Sequence, residues 1–508
     1  MSVDIQSPSL CIGIVGTGAM GRGIAQIAAQ NGIRVQLFDA LPGAAGNARE
    51  TVIATLAKLA EKGKISAEQF AATSAKLEVV AALGELASAQ VVVEAIVENL
   101  DVKKALFQQL EDIVAADCIL ATNTSSLSVT SIAAACKRPE RVGGFHFFNP
   151  VPLMKIVEVI EGLLTAPWVA EALLALGRRM GHTAVRAKDT PGFIVNHAGR
   201  GFVTEALRIL GEGVADFSEI DRVMRDAAGF RMGPFELMDL TGLDVSQPVM
   251  ESIYHQYYEE PRYRPSALAA QRLAGGLLGR KTGRGFYSYA NGTPAPLPAA
   301  VLPTAKPASV WISQAHPEWA EALREIAGKA GVAVETETMP SSAALCIVTP
   351  LGADATTPCL TQGLDPQRTL AIDCLFGFDK RRTLMSTPLT APAMRDAAHA
   401  LFAADGSAVS VIRDSAGFIA QRIVACIVNI GCDIAQQRVA SPADIDRAVS
   451  LGLGYPKGPL ALGDALGAMN VLIVLEAMQQ FYGDPRYRPS PWLKRRALLG
   501  VSLLTEES

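Results

Sequence analysis

The sequence predicts four folded parts in order: an α/β domain on a mostly parallel sheet, an all-α domain, a second and degenerate α/β unit, and a second helical copy. Three observations predict it. In "CIGIVGTGAMGRGIAQIAAQNGIRVQLFDA" (Cys11 to Ala40) an apolar strand runs into a glycine turn, a helix and a second strand, and strand and helix patterns go on alternating. From "DTPGFIVNHAGRGFVTEALRILGEG" (Asp189 to Gly213) the pattern becomes that of long amphipathic helices. Third, the chain repeats itself. "DTPGFIVNH" (Asp189 to His197) returns 225 residues later as "DSAGFIAQR" (Asp414 to Arg422), "SEIDRVMRDAAGFRMGPFELMD" (Ser218 to Asp239) as "ADIDRAVSLGLGYPKGPLALGD" (Ala443 to Asp464), and "EPRYRPS" as "DPRYRPS".

The glycine turn carries the first chemistry. Gly16 permits a tight turn, Gly18 lets backbone approach a pyrophosphate, and Gly21 lets the helix pack close on the strand, so that the helix N-terminus faces the phosphates. Asp39 ends the second strand, where a carboxylate accepts from a ribose 2′-OH and repels a 2′-phosphate. This is a Rossmann-like unit that favours NAD over NADP. Two further strands, "VVVEAI" and "CILATN", flank the helix "VKKALFQQLEDIV", and Glu98, Asn123 and Ser125 fall at strand carboxyl ends, where ligands bind in such sheets. Lys58, Lys62 and Lys64 cluster within two turns, as solvated helix faces commonly do.

Composition excludes other classes. A chain of 508 residues exceeds the size at which one core stops growing, so two to four domains are expected. With 46 Lys and Arg against 50 Asp and Glu the net charge is -4, and no basic run offers a surface to nucleic acid or an anionic membrane. The opening "MSVDIQSPSLCIGIVG" lacks the layout of a secretory signal, which points to a cytoplasmic chain. Eight scattered cysteines without a C-x-x-C pair are expected as reduced core thiols, with no metal site. "IVACIVNIGC" falls short of the about 20 residues that cross a bilayer and is expected as a buried helix.

In "GGFHFFNPVPLMKIVEVIE", His146 lies among aromatics near the end of a strand, and a turn leads to a strand holding Glu158. A carboxylate beside an imidazole fixes its tautomer, which suits acid/base work. A lone histidine in "FHFF" more often belongs to a core; the dinucleotide turn, Ser125 in "TNTSSLSVT" and the segment with Asn196 favour chemistry instead.

The order "VGTGAMGRGIA", "VVVEAIVENLDVKK", "TNTSSLS", "HFFNPVPLMKIVEVI", "DTPGFIVN" and "GFRMGPFELMDLTGLD" resembles the L-3-hydroxyacyl-CoA dehydrogenase family, more narrowly its phenylacetate-pathway members with a duplicated C-terminal domain, the 3-hydroxyadipyl-CoA dehydrogenases. The resemblance implies NAD-dependent oxidation of an L-3-hydroxyacyl-CoA to the 3-oxoacyl-CoA, with 3-hydroxybutyryl-CoA as the alternative substrate. It implies His146 as catalytic base, Glu158 as its partner, and Ser125 and Asn196 as contacts to the reacting end of the substrate. Asp39, Glu98, Lys103, Ser125 and Asn149 match the family's NAD contacts, and Thr55 and Lys62 its coenzyme A contacts. A CoA thioester is the expected partner, and a homodimer the expected assembly. Since helical domains pair across a dimer in single-copy members, the duplicate is expected to form an intrachain pseudo-dimer. An adipyl chain carries a distal carboxylate that calls for an arginine; Arg200, one helical turn after Asn196, and Arg231 in "GFRMGPF" are the candidates.

The expected boundaries are 1–188 for the NAD-binding domain, 189–290 for the helical domain, 291–308 for a Pro- and Ala-rich linker, 309–412 for the degenerate Rossmann-like unit and 413–508 for the second helical copy. Pro191 and Gly192 are expected to open the first helix, Ser218 to cap the next, and Pro234 to start a third. The second copy keeps the glycines and Phe418 but has Gln421 in place of Asn196 and nothing like "HFFNP" before it. Fold retained without chemistry is the expectation.

Overall fold

A computed structural model describes residues 3–296 and 302–507; positions 297–301 of the expected linker lie outside the described residues. By contact the chain forms two compact units, Met1–His197 with Gln437–Leu453, and Ala198–Gln436 with Gly454–Ser508.

The first unit is built on β1 (Cys11–Val15), α1 (Ala19–Gln30), β2 (Arg34–Phe38), α2 (Ala44–Glu61), α3 (Ala67–Ser74), β3 (Leu77–Val79), β4 (Val91–Glu94), α4 (Leu100–Ile113), β5 (Ile119–Thr122), α5 (Val129–Ala133), β6 (Val142–Phe147), β7 (Ile156–Glu161), α6 (Pro167–Arg179) and β8 (Thr183–Lys188). The sheet order is β3-β2-β1-β4-β5-β6-β7-β8, parallel throughout except where β6 meets β7. Its central strands are continuous apolar runs because helices cover both faces: Ile12, Ile14 and Val93 join one core, Val15, Val92 and Phe107 the other.

After β8 comes the short helix α7 (Val195–Ala198), and with it the first unit's first segment ends. Pro191 and Gly192 do not open a helix. Gly192 and Phe193 both take left-handed backbone, φ +77° and +49°, and the chain turns helical only at Val195. Such a φ on a bulky residue costs about 1–3 kcal/mol and persists only where packing enforces it; Phe193 is buried. The second copy repeats the device at Gly417 and Phe418, φ +81° and +51°. Asp189 and Asp414 are kept for a structural reason too. The carboxylate of Asp189 accepts from Ser128 Oγ, Val129 N and Thr130 N at the start of α5.

The second unit carries α8 (Arg200–Gly211), α9 (Phe217–Asp226), α10 (Pro234–Thr241), α11 (Leu243–Gln256), α12 (Ala267–Ala274) and a small hairpin of β9 (Tyr289–Ala290) and β10 (Thr293–Pro294). The N-cap of α9 is Asp216, two residues before Ser218, because the helix already begins at Phe217; Pro234 does open α10. A second sheet follows: β11 (Ser309–Ile312), α13 (Pro317–Lys329), β12 (Ala333–Glu335), β13 (Leu345–Val348), α14 (Thr356–Thr361), β14 (Thr369–Ile372), β15 (Arg381–Ser386), α15 (Pro392–Phe402) and β16 (Ala408–Ile412). The chain closes with α16 (Ala420–Gln436), α17 (Pro442–Leu453), α18 (Pro459–Leu466), α19 (Ala468–Tyr482) and α20 (Pro491–Leu499).

The second sheet, in the order β12-β11-β13-β14-β15-β16, is a shortened version of the first. β14 meets β15 antiparallel and β15 meets β16 parallel, as β6, β7 and β8 do. Asp414 accepts from Ala355 N at the start of α14 and pairs with Thr356 Oγ1, so α14 stands for α5 and β14 for β6. Two strands of the first sheet have no counterpart, since only nine residues separate β12 from β13.

Each helical copy packs on the other copy's sheet. Within the second unit α9 lies on β15, where Arg381 pairs with Asp226 at 2.9 Å and Glu219 at 3.3 Å. Within the first unit α17 lies on β7 and β8. The approaches match: Arg413 N donates to Val214 O, and Lys188 N to Val439 O. The copies also meet along α8 and α16, where a side chain at Gly201 would lie 2.9 Å from the Ile427 backbone. Buried Glu205 there takes Arg422 at 2.5 Å, Arg486 at 3.2 Å and the Tyr487 hydroxyl at 2.7 Å. Burial pushes the Glu205 carboxyl up, but Arg422 and Arg486 more than offset it and hold the group ionised. The repeated "PRY" turns interlock, Arg262 donating to Arg488 O and Arg486 to Pro261 O.

None of the eight cysteines, all among the described residues, lies in a disulfide, and seven of them are buried. Among the described residues no single helix is long and apolar enough to cross a membrane; α18 and α19, bent by 95°, pass as a pair by length and composition only.

Candidate active site

Antiparallel register sets His146 on β6 directly opposite Glu158 on β7. His146 Nδ1 lies 2.6 Å from Glu158 Oε2. The other carboxylate oxygen, Oε1, accepts from Ile194 N at 3.0 Å and Val195 N at 2.9 Å. These two amides follow the left-handed Gly192-Phe193 pair, which aims them at the carboxylate. A carboxylate with both oxygens accepting can take only a proton from Nδ1, which leaves Nε2 as the acceptor nitrogen, able to serve as a base. Phe148 and Phe193 pack around the imidazole, with ring centroids at 4.4 and 5.7 Å, and both His146 and Glu158 are buried.

The dinucleotide end fits its cofactor. A Cβ at Gly16 would lie 2.6 Å from Ala95 O, and one at Gly21 1.9 Å from Gly16 O, so both positions need glycine; at Gly18 the space is open, as an approaching phosphate requires. α1 has no side-chain cap, which leaves its first amides to an anion. Asp39 accepts from Thr17 N at 2.7 Å, Thr17 Oγ1 at 2.8 Å and Leu41 N at 3.0 Å. Burial raises its pKa, yet these bonds outweigh it and hold the carboxyl below the usual range. Beside it lies a cavity of about 810 Å³ lined by Gly16, Gly18, Asp39, Leu41, Val97 and Val102 among others. The exposed Leu41, Val97 and Val102 give it the apolar wall that a planar base prefers, a feature that sequence reading missed because each stands alone in the chain.

Glu98 anchors the "TNTSS" loop. Its Oε1 accepts from Thr124 Oγ1 at 2.6 Å, Ser125 N at 3.0 Å and Ser126 N at 3.1 Å. Against burial, Thr124, Lys103 and Ser125 hold this carboxyl low. Lys103 is buried, 2.5 Å from Glu94 and 3.3 Å from Glu98. Glu94, which also takes Thr122 Oγ1, was not singled out in the sequence; only the fold brings it under Lys103. Asn123 accepts from Phe147 N and so ties this loop to the strand of His146. Ser125 and Asn196 are half-buried, while Asn149, Thr55 and Lys62 are exposed. In the second unit Arg200 is buried, its pKa pulled down to about 10 by desolvation that the nearby Tyr455 only partly offsets, and Arg231 is exposed. The helix expected to carry Asn196 and Arg200 together breaks at Gly199. Among the described residues no group of His, Cys, Asp or Glu side chains is placed to hold a metal ion.

Two family models match: "3-hydroxyacyl-CoA dehydrogenase, NAD binding domain" over residues 11–190, and "3-hydroxyacyl-CoA dehydrogenase, C-terminal domain" twice, over residues 192–289 and 417–502. The chain belongs to the 3-hydroxyacyl-CoA dehydrogenase family. It is an NAD-dependent oxidoreductase of that family, and the double match identifies both helical copies. A "3-hydroxyadipyl-CoA dehydrogenase" of Escherichia coli K12 is 38% identical over 98% of this chain and 99% of its own length. The human "Hydroxyacyl-coenzyme A dehydrogenase, mitochondrial" is 40% identical over 54% of this chain and 90% of its own. A solved structure titled as 3-hydroxybutyryl-CoA dehydrogenase from Escherichia coli K12 superposes with a TM-score of 0.84 at 36% identity, covering 97% of this chain and 98% of that one.

The second copy places different residues at the positions equivalent to this site. Just past the end of β14, Asp373 N donates to Thr383 O at 2.9 Å, which continues the antiparallel pairing and sets these two residues where β6 and β7 have His146 and Glu158. Gln421, in the place of Asn196, donates to Asp373 Oδ1 at 2.8 Å and accepts from Gly352 N at 2.8 Å. The longer amide reaches across and forms a buried pair with Asp373. Burial raises the Asp373 carboxyl from 3.8 to about 6, only partly countered by Gln421 and Leu375 N. Because its folded pKa lies above the unfolded one, its contribution to stability is intact below pH 3.8 and is lost as pH rises through about 6. Asp373→Asn, which keeps the acceptor, is expected to raise stability at pH 7.5 by roughly 2 kcal/mol and to change nothing near pH 3.5. Denaturant melts at the two pH values check this; an equal effect at both would remove ionisation as the cause.

Proposed function

We propose that this enzyme oxidises 3-hydroxyadipyl-CoA to the 3-oxo ester in phenylacetate catabolism, as a cytoplasmic homodimer. The likeness to the Escherichia coli 3-hydroxyadipyl-CoA dehydrogenase over nearly the whole of both chains carries the reading. The 3-hydroxybutyryl title of an equally full-length structural match is the reason to keep a short-chain 3-hydroxyacyl-CoA as the second substrate, with a part in β-oxidation.

In this reading His146 Nε2 takes the proton of the 3-hydroxyl as hydride leaves C3. Bound NAD⁺ supplies the hydride acceptor. Glu158 stabilises the imidazolium so formed, and the reverse path returns the proton. Ser125 and Asn196 hold the hydroxyl and thioester oxygens. Asp39, Glu98 and Asn149 position the cofactor, with Lys103 acting through Glu98, while Thr55 and Lys62, both exposed on the first unit, meet coenzyme A. The duplicated copy takes over within one chain the pairing that a second subunit would supply.

The test is NADH formation from 3-hydroxyadipyl-CoA and L-3-hydroxybutyryl-CoA at matched concentrations. A site that pairs the distal carboxylate is expected to favour the adipyl ester by 10²-fold or more in kcat/KM, on the order of polar-group selection. Comparable values would select the general short-chain enzyme. Arg200→Met and Arg231→Met, assayed with both esters, identify any arginine that reads the carboxylate.

A further inference from the structure

The second helical copy comes up against the segment that holds Glu158 at Gly452. α17 packs on β7 and β8, the first of which carries Glu158, and near its end stands Gly452. A Cβ built at Gly452 would lie 2.9 Å from both Cγ1 and Cγ2 of Val195. Val195 is buried, and its amide donates to Glu158 Oε1 at 2.9 Å. The contact therefore runs from Gly452 to Val195, from Val195 to Glu158, and from Glu158 to His146 at 2.6 Å.

Glycine is not there for its backbone. Gly452 is helical and has no left-handed φ, a setting in which glycine is among the weakest helix formers. Its use is the absence of a side chain. The other copy supports this: in the repeat, Gly452 corresponds to Ala227 and Val195 to Ala420. One unit pairs a glycine with a valine where the other has two alanines. The valine is stiff at χ1 and cannot turn away from an added methyl group, so the strain passes to the backbone that holds Glu158.

We propose that Gly452 is a positioning residue for the dehydrogenase reaction, setting the Ile194-Val195 amides, and through them Glu158 and His146, from the duplicated half of the chain. The inference rests on the His146-Glu158 reading. The duplicate is then part of the catalytic apparatus as well as of the fold.

The experiment uses the full chain. Gly452→Ala is expected to lower kcat by about 10-fold, since roughly 1 Å of misplacement costs about 10²-fold and the shift here is a few tenths of an ångström. The affinity for NADH, read by fluorescence, is expected within about twofold of the parent, because the glycine turn and Asp39 lie away from the Val195 backbone. Adding Val195→Ala, which recreates the alanine pair of the other copy, is expected to restore kcat. Unchanged kcat in Gly452→Ala, or a loss that follows the melting temperature and is not rescued by Val195→Ala, overturns the proposal. Glu158→Gln runs beside them: if it alone retains full kcat, the His146-Glu158 reading has failed, whereas its loss with an unaffected Gly452→Ala refutes only the role of Gly452.

Discussion

Replacing His146 with glutamine is expected to lower kcat by about 10³-fold while NADH still binds, because a positioned general base contributes on the order of 10²–10⁴-fold. Glutamine keeps an amide that can donate to Glu158, so the Glu158 carboxylate and the two amides it accepts from, Ile194 and Val195, stay paired. What disappears is the nitrogen facing away from Glu158, which the proposed mechanism makes the acceptor of the hydroxyl proton. An interaction lost only in the transition state lowers kcat and kcat/KM together, so KM is expected to stay near its parent value. Steady-state kinetics with NADH titration decide it: a folded variant that binds NADH and turns over near normally would assign the proton to another group. The burial of His146 and Glu158 makes the effect large, since a base shielded from water is not replaced by solvent.

Ending the chain at Ala290 is expected to abolish both soluble yield and activity. The cut removes α16, and with it the Arg422 that meets buried Glu205 at 2.5 Å. Leaving one partner of such a pair unpaired costs about 3–5 kcal/mol, a large share of the usual 5–15 kcal/mol of net stability. Self-pairing of two truncated chains cannot replace it, because the first copy has His197 where the second has Arg422, and the second has Ile430 where the first has Glu205. The same cut strips α17 from β7 and β8 and uncovers Val195 beside the Glu158 carboxylate. Expression, size-exclusion and thermal melts of residues 1–290 against the full chain test this. A soluble, active truncate with an unchanged melting temperature would show that the duplicate is a separate module.

Local residue chemistry determined much of this protein in advance. The glycine turn, Asp39, the pairing of His146 with Glu158, and the duplication are all legible because each depends on residues close in sequence or on a pattern that repeats. Pro234 at a helix start is legible for the same reason. The misread positions depended on backbone geometry that composition does not carry: the left-handed Phe193 delays the helix expected at Pro191, and the chain already helical at Phe217 moves the cap to Asp216. Only the tertiary structure decided which side chains became partners across distance. Strand pairing set Asp373 in the place of His146, where Gln421 bonds it in a buried pair. The exchange of α9 and α17 between the two sheets likewise has no signature in either copy. Each helix shows the same amphipathic face whichever sheet it covers, and only the path of the chain selects which one.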